Sequence, residues 1–165
     1  MTQPIIRDAT AADAPHVFRL VRGLAEYEKL LHKVTATEDD IAKALFGPTP
    51  SAHAILAEPP GGTPVGLALF YYTLNTFTCR RGIFLEDLFV EPAHRGTGAG
   101  LALLRRLAQR AVAENCSRID WWVLNWNELS IAFYERIGST RMTDWHVRQL
   151  EGPALIALAE GARNG

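Results

Sequence analysis

The sequence predicts a mixed α/β fold in the order βααβββαβαβ, and three observations predict it. Apolar residues recur at helical spacing in some segments and crowd into short runs in others. Cap and turn signals (Thr-x-x-Asp, Pro-Pro-Gly-Gly, Gly-Pro) fall between those segments. Strands follow one another directly in the first half and alternate with helices only in the second, which is not a repeated βαβ nucleotide fold. The 165 residues fit one domain, 1–165, with 153–165 as a C-terminal tail.

The elements follow in order. An apolar segment at 3–7 reads as the first strand. Thr10 and Asp13 resemble a capping box, Pro15 sits in the turn after it, and Val17, Leu20, Val21, Leu24 and Tyr27 share one helical stripe, so a helix is expected over 11–28. Thr37 and Asp40 repeat the cap before a short helix carrying Ile41, Leu45 and Phe46, which Gly47-Pro48 stops. Residues 53–58 and 65–74 read as a hairpin around Pro59-Pro60-Gly61-Gly62. Residues 75–82 read as a polar connection, and 83–90 as a further strand ended by Glu91-Pro92. A glycine loop at 95–100 opens a helix to about residue 114, with Leu101, Leu104, Ala108 and Ala111 as its expected buried face. A strand at 119–124, a helix at 128–137 stopped by Gly138, an extended segment at 140–150 and a tail helix at 153–160 complete the chain.

Composition excludes several classes. Apolar residues make up 48% and charged residues 21%, too apolar and too evenly charged for a disordered chain. The net charge of −1 offers no electrostatic reason to bind nucleic acid. No run approaches the roughly 18 apolar residues of a membrane span, and MTQPIIRDAT has no signal-peptide pattern, so a cytoplasmic protein is expected. Cys79 and Cys116 form no CxxC pair, and the five His are scattered, so neither a disulfide nor a metal site is expected.

The densest chemistry lies in Glu86 to Leu107, EDLFVEPAHRGTGAGLALLRRL. A strand delivers the chain to Arg95-Gly96-Thr97-Gly98-Ala99-Gly100, and a helix follows at once. Glycines there let backbone N–H groups crowd around one point, and the helix N-terminus adds about half a positive charge. The result suits a phosphate. Leu101 and Leu103 stand where GxGxxG needs glycine, and no Gly-Lys-Ser/Thr is present, so NAD and ATP fit poorly.

RGTGAG resembles the Arg/Gln-x-x-Gly-x-Gly/Ala signature of the GNAT superfamily of N-acetyltransferases, LEDLFV resembles their fourth strand, and VLNWNELSIAFYERIG resembles their second signature. IRDATAAD and LAEYE look like the opening of the diamine acetyltransferase branch. The resemblance implies a single-domain, mostly antiparallel central sheet flanked by helices. It also implies an acetyl-CoA-dependent acetyltransferase acting on a small-molecule primary amine by direct attack in a ternary complex, and a homodimer. It places the coenzyme on Leu88, Phe89, Val90, Arg95, Gly96, Thr97, Gly98, Ala99, Gly100, Leu101, Asn127 and Ser130. Tyr134 is the implied general acid for the departing thiolate, Glu86 the base, and Glu28 and Asp87 the holders of the cationic acceptor.

Each residue also has a plainer reading. Asn127 precedes a helix and suits an N-cap, and Tyr134 suits a rim tyrosine. Consecutive strand residues face opposite sides, so only one of Glu86 and Asp87 should face the cleft unless a bulge re-aims the chain. Asn75-Thr76-Phe77-Thr78 and Arg80-Arg81 stand where the branch carries acids, and Leu129 replaces a proline. These departures favour a short acceptor such as a diamino acid or its thioether analogue, whose carboxylate could meet an arginine; Phe77, Trp126 and Trp145 could line its cleft. The alternatives are a protein N-terminal or lysine acetyltransferase, and a non-catalytic coenzyme A-binding module.

Overall fold

The computed structural model describes residues 3–161. The elements are β1 (Ile5–Asp8), α1 (Ala14–Tyr27), α2 (Glu38–Phe46), β2 (His53–Glu58), β3 (Gly66–Asn75), β4 (Arg80–Val90), α3 (Ala99–Ala113), β5 (Ile119–Trp121), α4 (Glu128–Arg136) and α5 (Gly152–Ala159). Short 3-10 turns at Ala11–Asp13, Leu31–Lys33 and Pro92–His94 link them. The sheet order is β1-β2-β3-β4-β5, with antiparallel neighbours except for the parallel β4–β5 pair. Two compact units divide the chain, one up to Trp122 and one from Val123 onward.

In the first unit the sheet is covered on both faces, which is why its central strands read as unbroken apolar runs. Leu67 and Leu69 of β3, Leu56 of β2 and Phe89 of β4 pack with Val17 and Leu20 of α1 and Leu45 of α2. The alternate residues Gly66 and Phe70 meet Leu103 and Arg110 of α3 on the other face. Gly23 lets α1 lie close to β4, since a Cβ there would stand 2.8 Å from the Phe89 ring.

Both caps form. The Thr10 N–H and hydroxyl donate to Asp13, and the Thr37 N–H and hydroxyl donate to Asp40, whose N–H donates back to the Thr37 hydroxyl. Asp13 is also held by both terminal nitrogens of Arg7, at 2.8 Å each, and Arg7 reaches Glu58 as well. That triad ties β1, the turn before α1, and β2 together.

Four expectations are corrected. The buried face of α3 is Leu103, Leu104, Leu107 and Ala111, while Leu101 and Ala108 are exposed, because Leu103 and Leu107 bring more apolar surface to the same seam. Residues 80–82 join β4 instead of a loop. Residues 140–150 form no strand, so the order ends αα in place of αβ. Met142, Trp145, Val147 and Leu150 do not keep one parity, so no single strand face gathers them, and all four are exposed. β5 stops at Trp121, short of the expected residue 124, because the β4 edge it pairs with is interrupted at Glu86. The tail helix forms over Gly152–Ala159, and residues 162–165 of the expected tail lie outside the described residues.

Candidate active site

β4 carries the decisive irregularity. Leu69 pairs with Asp87 but Phe70 pairs with Leu85, so Glu86 is an extra, unpaired residue, a β-bulge. The bulge does two things. It resets the parity, so that Asp87 joins Leu69 and Phe89 on the face covered by α1, with Glu86 beside it. It also ends the β4–β5 ladder. β5 pairs with Ile83, Phe84 and Leu85 and no further, which leaves the outer edge of Leu88, Phe89 and Val90 unpaired among the described residues. That open edge runs straight into the glycine loop.

Three carboxylates share one field here. Burial pushes the Asp87 carboxyl up to about 7, with Glu86 and then Glu28 adding repulsion. Glu28, the C-cap of α1, is itself raised by burial. The Tyr71 hydroxyl is raised by burial and by Glu86, and its ring stacks on Phe84 at 5.3 Å. Such a cluster suits a ligand that brings positive charge.

The folded Asp87 keeps its proton at pH values where the unfolded carboxyl has lost it, so its contribution to stability falls as pH rises from about 4 to about 7. The full rise from 3.8 to about 7 is worth ~4 kcal/mol. Exposed Glu86 lets solvent screen part of that, so Asp87→Asn should stabilise the chain by about 1–2 kcal/mol at pH 8. Near pH 4 the gain should vanish. Equal melting temperatures of wild type and variant at both pH values would reject the assignment.

The loop itself is built as an anion cradle. Gly96 and Gly98 have φ of +76° and +87°, and a Cβ on either would project into open space. Gly98 is the N-cap of α3, and the Thr97 hydroxyl donates to the His94 carbonyl at 2.8 Å. Ala99 is buried, Gly100 half-buried and Leu101 exposed. Arg95 donates from Nε to the Val90 carbonyl at 3.1 Å, and its guanidinium lies 4.4 Å from the centre of the Tyr27 ring. A positive helix end, open glycines and an unpaired strand edge fit the diphosphate and amide-bearing arm of a coenzyme A.

Within the second unit, Asn127 is buried and caps α4, its Oδ1 accepting from the Ser130 N–H at 3.3 Å. Ser130 and Tyr134 lie three and seven residues on, so the three share one side of α4. The Tyr134 ring is 5.4 Å from that of Phe133, and Ile137, just past the end of α4, is 40% exposed.

The bulge sets Glu86 beside Asp87, and the end of α1 brings Glu28 close enough to act on Asp87 as well. Neither brings in the two arginines. Arg80 donates to Asn115, and Arg81 lies 3.5 Å over the Tyr72 ring and pairs with Glu114, so neither is at the acid cluster. Phe77 is 98% exposed at the β3–β4 hairpin tip, and Trp126 and Trp145 are exposed in the second unit. Sequence reasoning missed Tyr71. It also missed the aromatic seat that Tyr27 makes for Arg95. The bulge did leave a trace, since two consecutive acids in an apolar strand break its alternation.

The acetyltransferase (GNAT) family profile matches residues 20–138. Thialysine N-epsilon-acetyltransferase of Sus scrofa is 35% identical, over 96% of this chain and 99% of its own. L-ornithine N5-acetyltransferase NATA1 of Arabidopsis thaliana is 28% identical, over 93% of this chain and 86% of its own. An integron cassette protein from the mobile metagenome of V. cholerae superposes with a TM-score of 0.81 at 25% identity, covering 97% of this chain and 99% of its own. The chain therefore belongs to the GNAT acetyltransferase family and is an N-acetyltransferase.

Proposed function

We propose that the chain moves an acetyl group from acetyl-CoA to a primary amine of a small molecule, a polyamine, diamine or diamino acid such as a lysine analogue, by direct attack within a ternary complex. The observation that carries this reading is the bulge at Glu86, which sets two carboxylates beside the Glu28 end of α1 and leaves the β4 edge that runs to the glycine loop. The relatives named for thialysine and ornithine support the short diamino acid.

Bound acetyl-CoA supplies a thioester carbonyl open to attack. Leu88, Phe89 and Val90 offer backbone groups to its arm, one of their N–H groups serving as oxyanion donor. Arg95, Gly96, Thr97, Gly98, Ala99, Gly100 and Leu101 hold the diphosphate end, and Asn127 and Ser130 add polar contacts on α4. Asp87 and Glu28 attract the acceptor's ammonium. An alkyl ammonium has a pKa near ~10.4 and no lone pair, so Glu86 removes its proton, directly or through water. Tyr134 donates a proton to the departing thiolate.

A panel of polyamines, diamino acids and amino-terminal peptides, scored for coenzyme A release, tests the acceptor class. Diamino acids should turn over fastest. Turnover of peptides alone would favour a protein acetyltransferase, and none at all a coenzyme-binding module.

We also propose that the two units make one catalytic domain, since the family profile spans 20–138 and so covers residues of both. The working form is a homodimer. Trp145, Val147, Leu150, Leu155, Ile156 and Leu158 are each exposed in the second unit, and covering such apolar side chains is what a second copy would do. A solution mass of one chain by light scattering would reject this. The described residues contain no helix long and apolar enough to cross a membrane. We assign the chain to the cytoplasm, where its free Cys79 and Cys116 stay reduced; cell fractionation checks that assignment.

A further inference from the structure

We propose that Tyr27 is a positioning residue for the coenzyme loop, its ring holding the Arg95 guanidinium in place between the end of α1 and the end of β4. The inference rests on the coenzyme assignment above and adds to it a residue outside the glycine signature. Arg95 opens the loop and would otherwise be a long, freely rotating side chain. Two contacts remove that freedom. Its Nε donates to the Val90 carbonyl at 3.1 Å, and its guanidinium carbon stands over the Tyr27 ring, 4.4 Å from the ring centre, with the Phe89 ring further off at 6.0 Å. The Val90 carbonyl engages Nε, and the Tyr27 ring lies beside the charged carbon. The Nη1 and Nη2 edge is what is left for an anion, in the planar fork geometry suited to a phosphate.

Tyr27 is well placed to be such a seat. It ends the apolar stripe of α1 and packs against the core that Val17, Leu20 and Phe89 share, so the ring is fixed before Arg95 meets it. Glu28 is the next residue and caps the same helix. One stack therefore connects the loop that takes the acyl donor to the helix end that carries an acceptor carboxylate. A cation held over a phenol ring contributes enough to shift a binding constant about five-fold. Fixing a rotamer-rich side chain beforehand lowers the cost of binding in the same range.

The test is a double-mutant cycle read by calorimetric titration of coenzyme A into wild type, Tyr27→Leu, Arg95→Met and the double variant, with Tyr27→Phe alongside. Tyr27→Leu should weaken binding about five-fold. On the Arg95→Met background the same change should cost less than two-fold, because the partner it positions is gone. Tyr27→Phe, which keeps the ring face, should lose less than Tyr27→Leu. Additive losses across the cycle would overturn the positioning role, since damage to the fold acts whether or not Arg95 is present. Wild-type binding with an unaltered Tyr27→Leu variant would overturn it alone. A wild-type chain that takes up no coenzyme A would overturn the coenzyme assignment and this inference with it.

Discussion

Tyr134→Phe is expected to lower kcat about a hundred-fold while changing the apparent affinity for acetyl-CoA by less than about three-fold. The chemistry sets the size. Acyl transfer from a thioester expels a thiolate, and a positioned proton donor at that step is worth about 100- to 10,000-fold. Phe keeps the ring and its contact with Phe133. It removes the hydroxyl, and with it the transferable proton. The effect should therefore fall on kcat and kcat/KM together, the mark of an interaction made in the transition state. Thiol release measured at saturating amine checks it. An unchanged kcat would remove Tyr134 from the mechanism and leave it as a residue of the α4 surface.

Arg7→Met is expected to destabilise the first unit by about 3 kcal/mol, seen as a lower melting temperature and denaturation midpoint. Arg7 holds Asp13 through two parallel hydrogen bonds and Glu58 through two more. Asp13 is only 5% exposed. Met fills a similar volume but leaves a buried carboxylate with only the Thr10 donors. The pH dependence supplies an independent readout. The bonds from Arg7, and then those from Thr10, hold the Asp13 carboxyl well below the usual carboxylate range. A depressed folded pKa means stability that is complete above the unfolded value of about 3.9 and is lost as pH falls through the folded one. Wild type should thus lose stability steeply below about pH 4, and Arg7→Met less steeply. Parallel acid-denaturation profiles would show that the triad contributes little.

Local physics made much of the fold legible. Thr10 and Asp13, and Thr37 and Asp40, cap their helices because cap chemistry spans only a few residues. Gly138 ends the α4 region at a φ of +86°, a conformation open to glycine. The strand at His53–Glu58 was readable to the residue, since one covalent run carries its whole signal. The 140–150 segment shows the limit. Its apolar content suggested a strand, but a strand requires a partner edge, and no sequence window contains one. The buried seam of α3 likewise depended on which leucines the sheet could accommodate, and Leu103 and Leu107 outcompeted Leu101 and Ala108.

The candidate site divides along the same line. Residue order alone gives the chemical inventory: a glycine loop at a strand-to-helix junction, two adjacent acids in an apolar strand, an asparagine before a helix and a tyrosine two turns along it. These are contiguous signatures, and their chemistry follows from residue type and short spacing. Their arrangement in space came from packing across distant elements. That packing supplied the register jump between Leu69 and Phe70 that makes Glu86 a bulge, the break in β4–β5 pairing that frees the Phe89 edge, and the approach of Glu28 and Tyr27, on a different element, to Asp87 and Arg95. Register and approach depend on which surfaces bury each other across tens of residues, a balance of packing terms that no local spacing records.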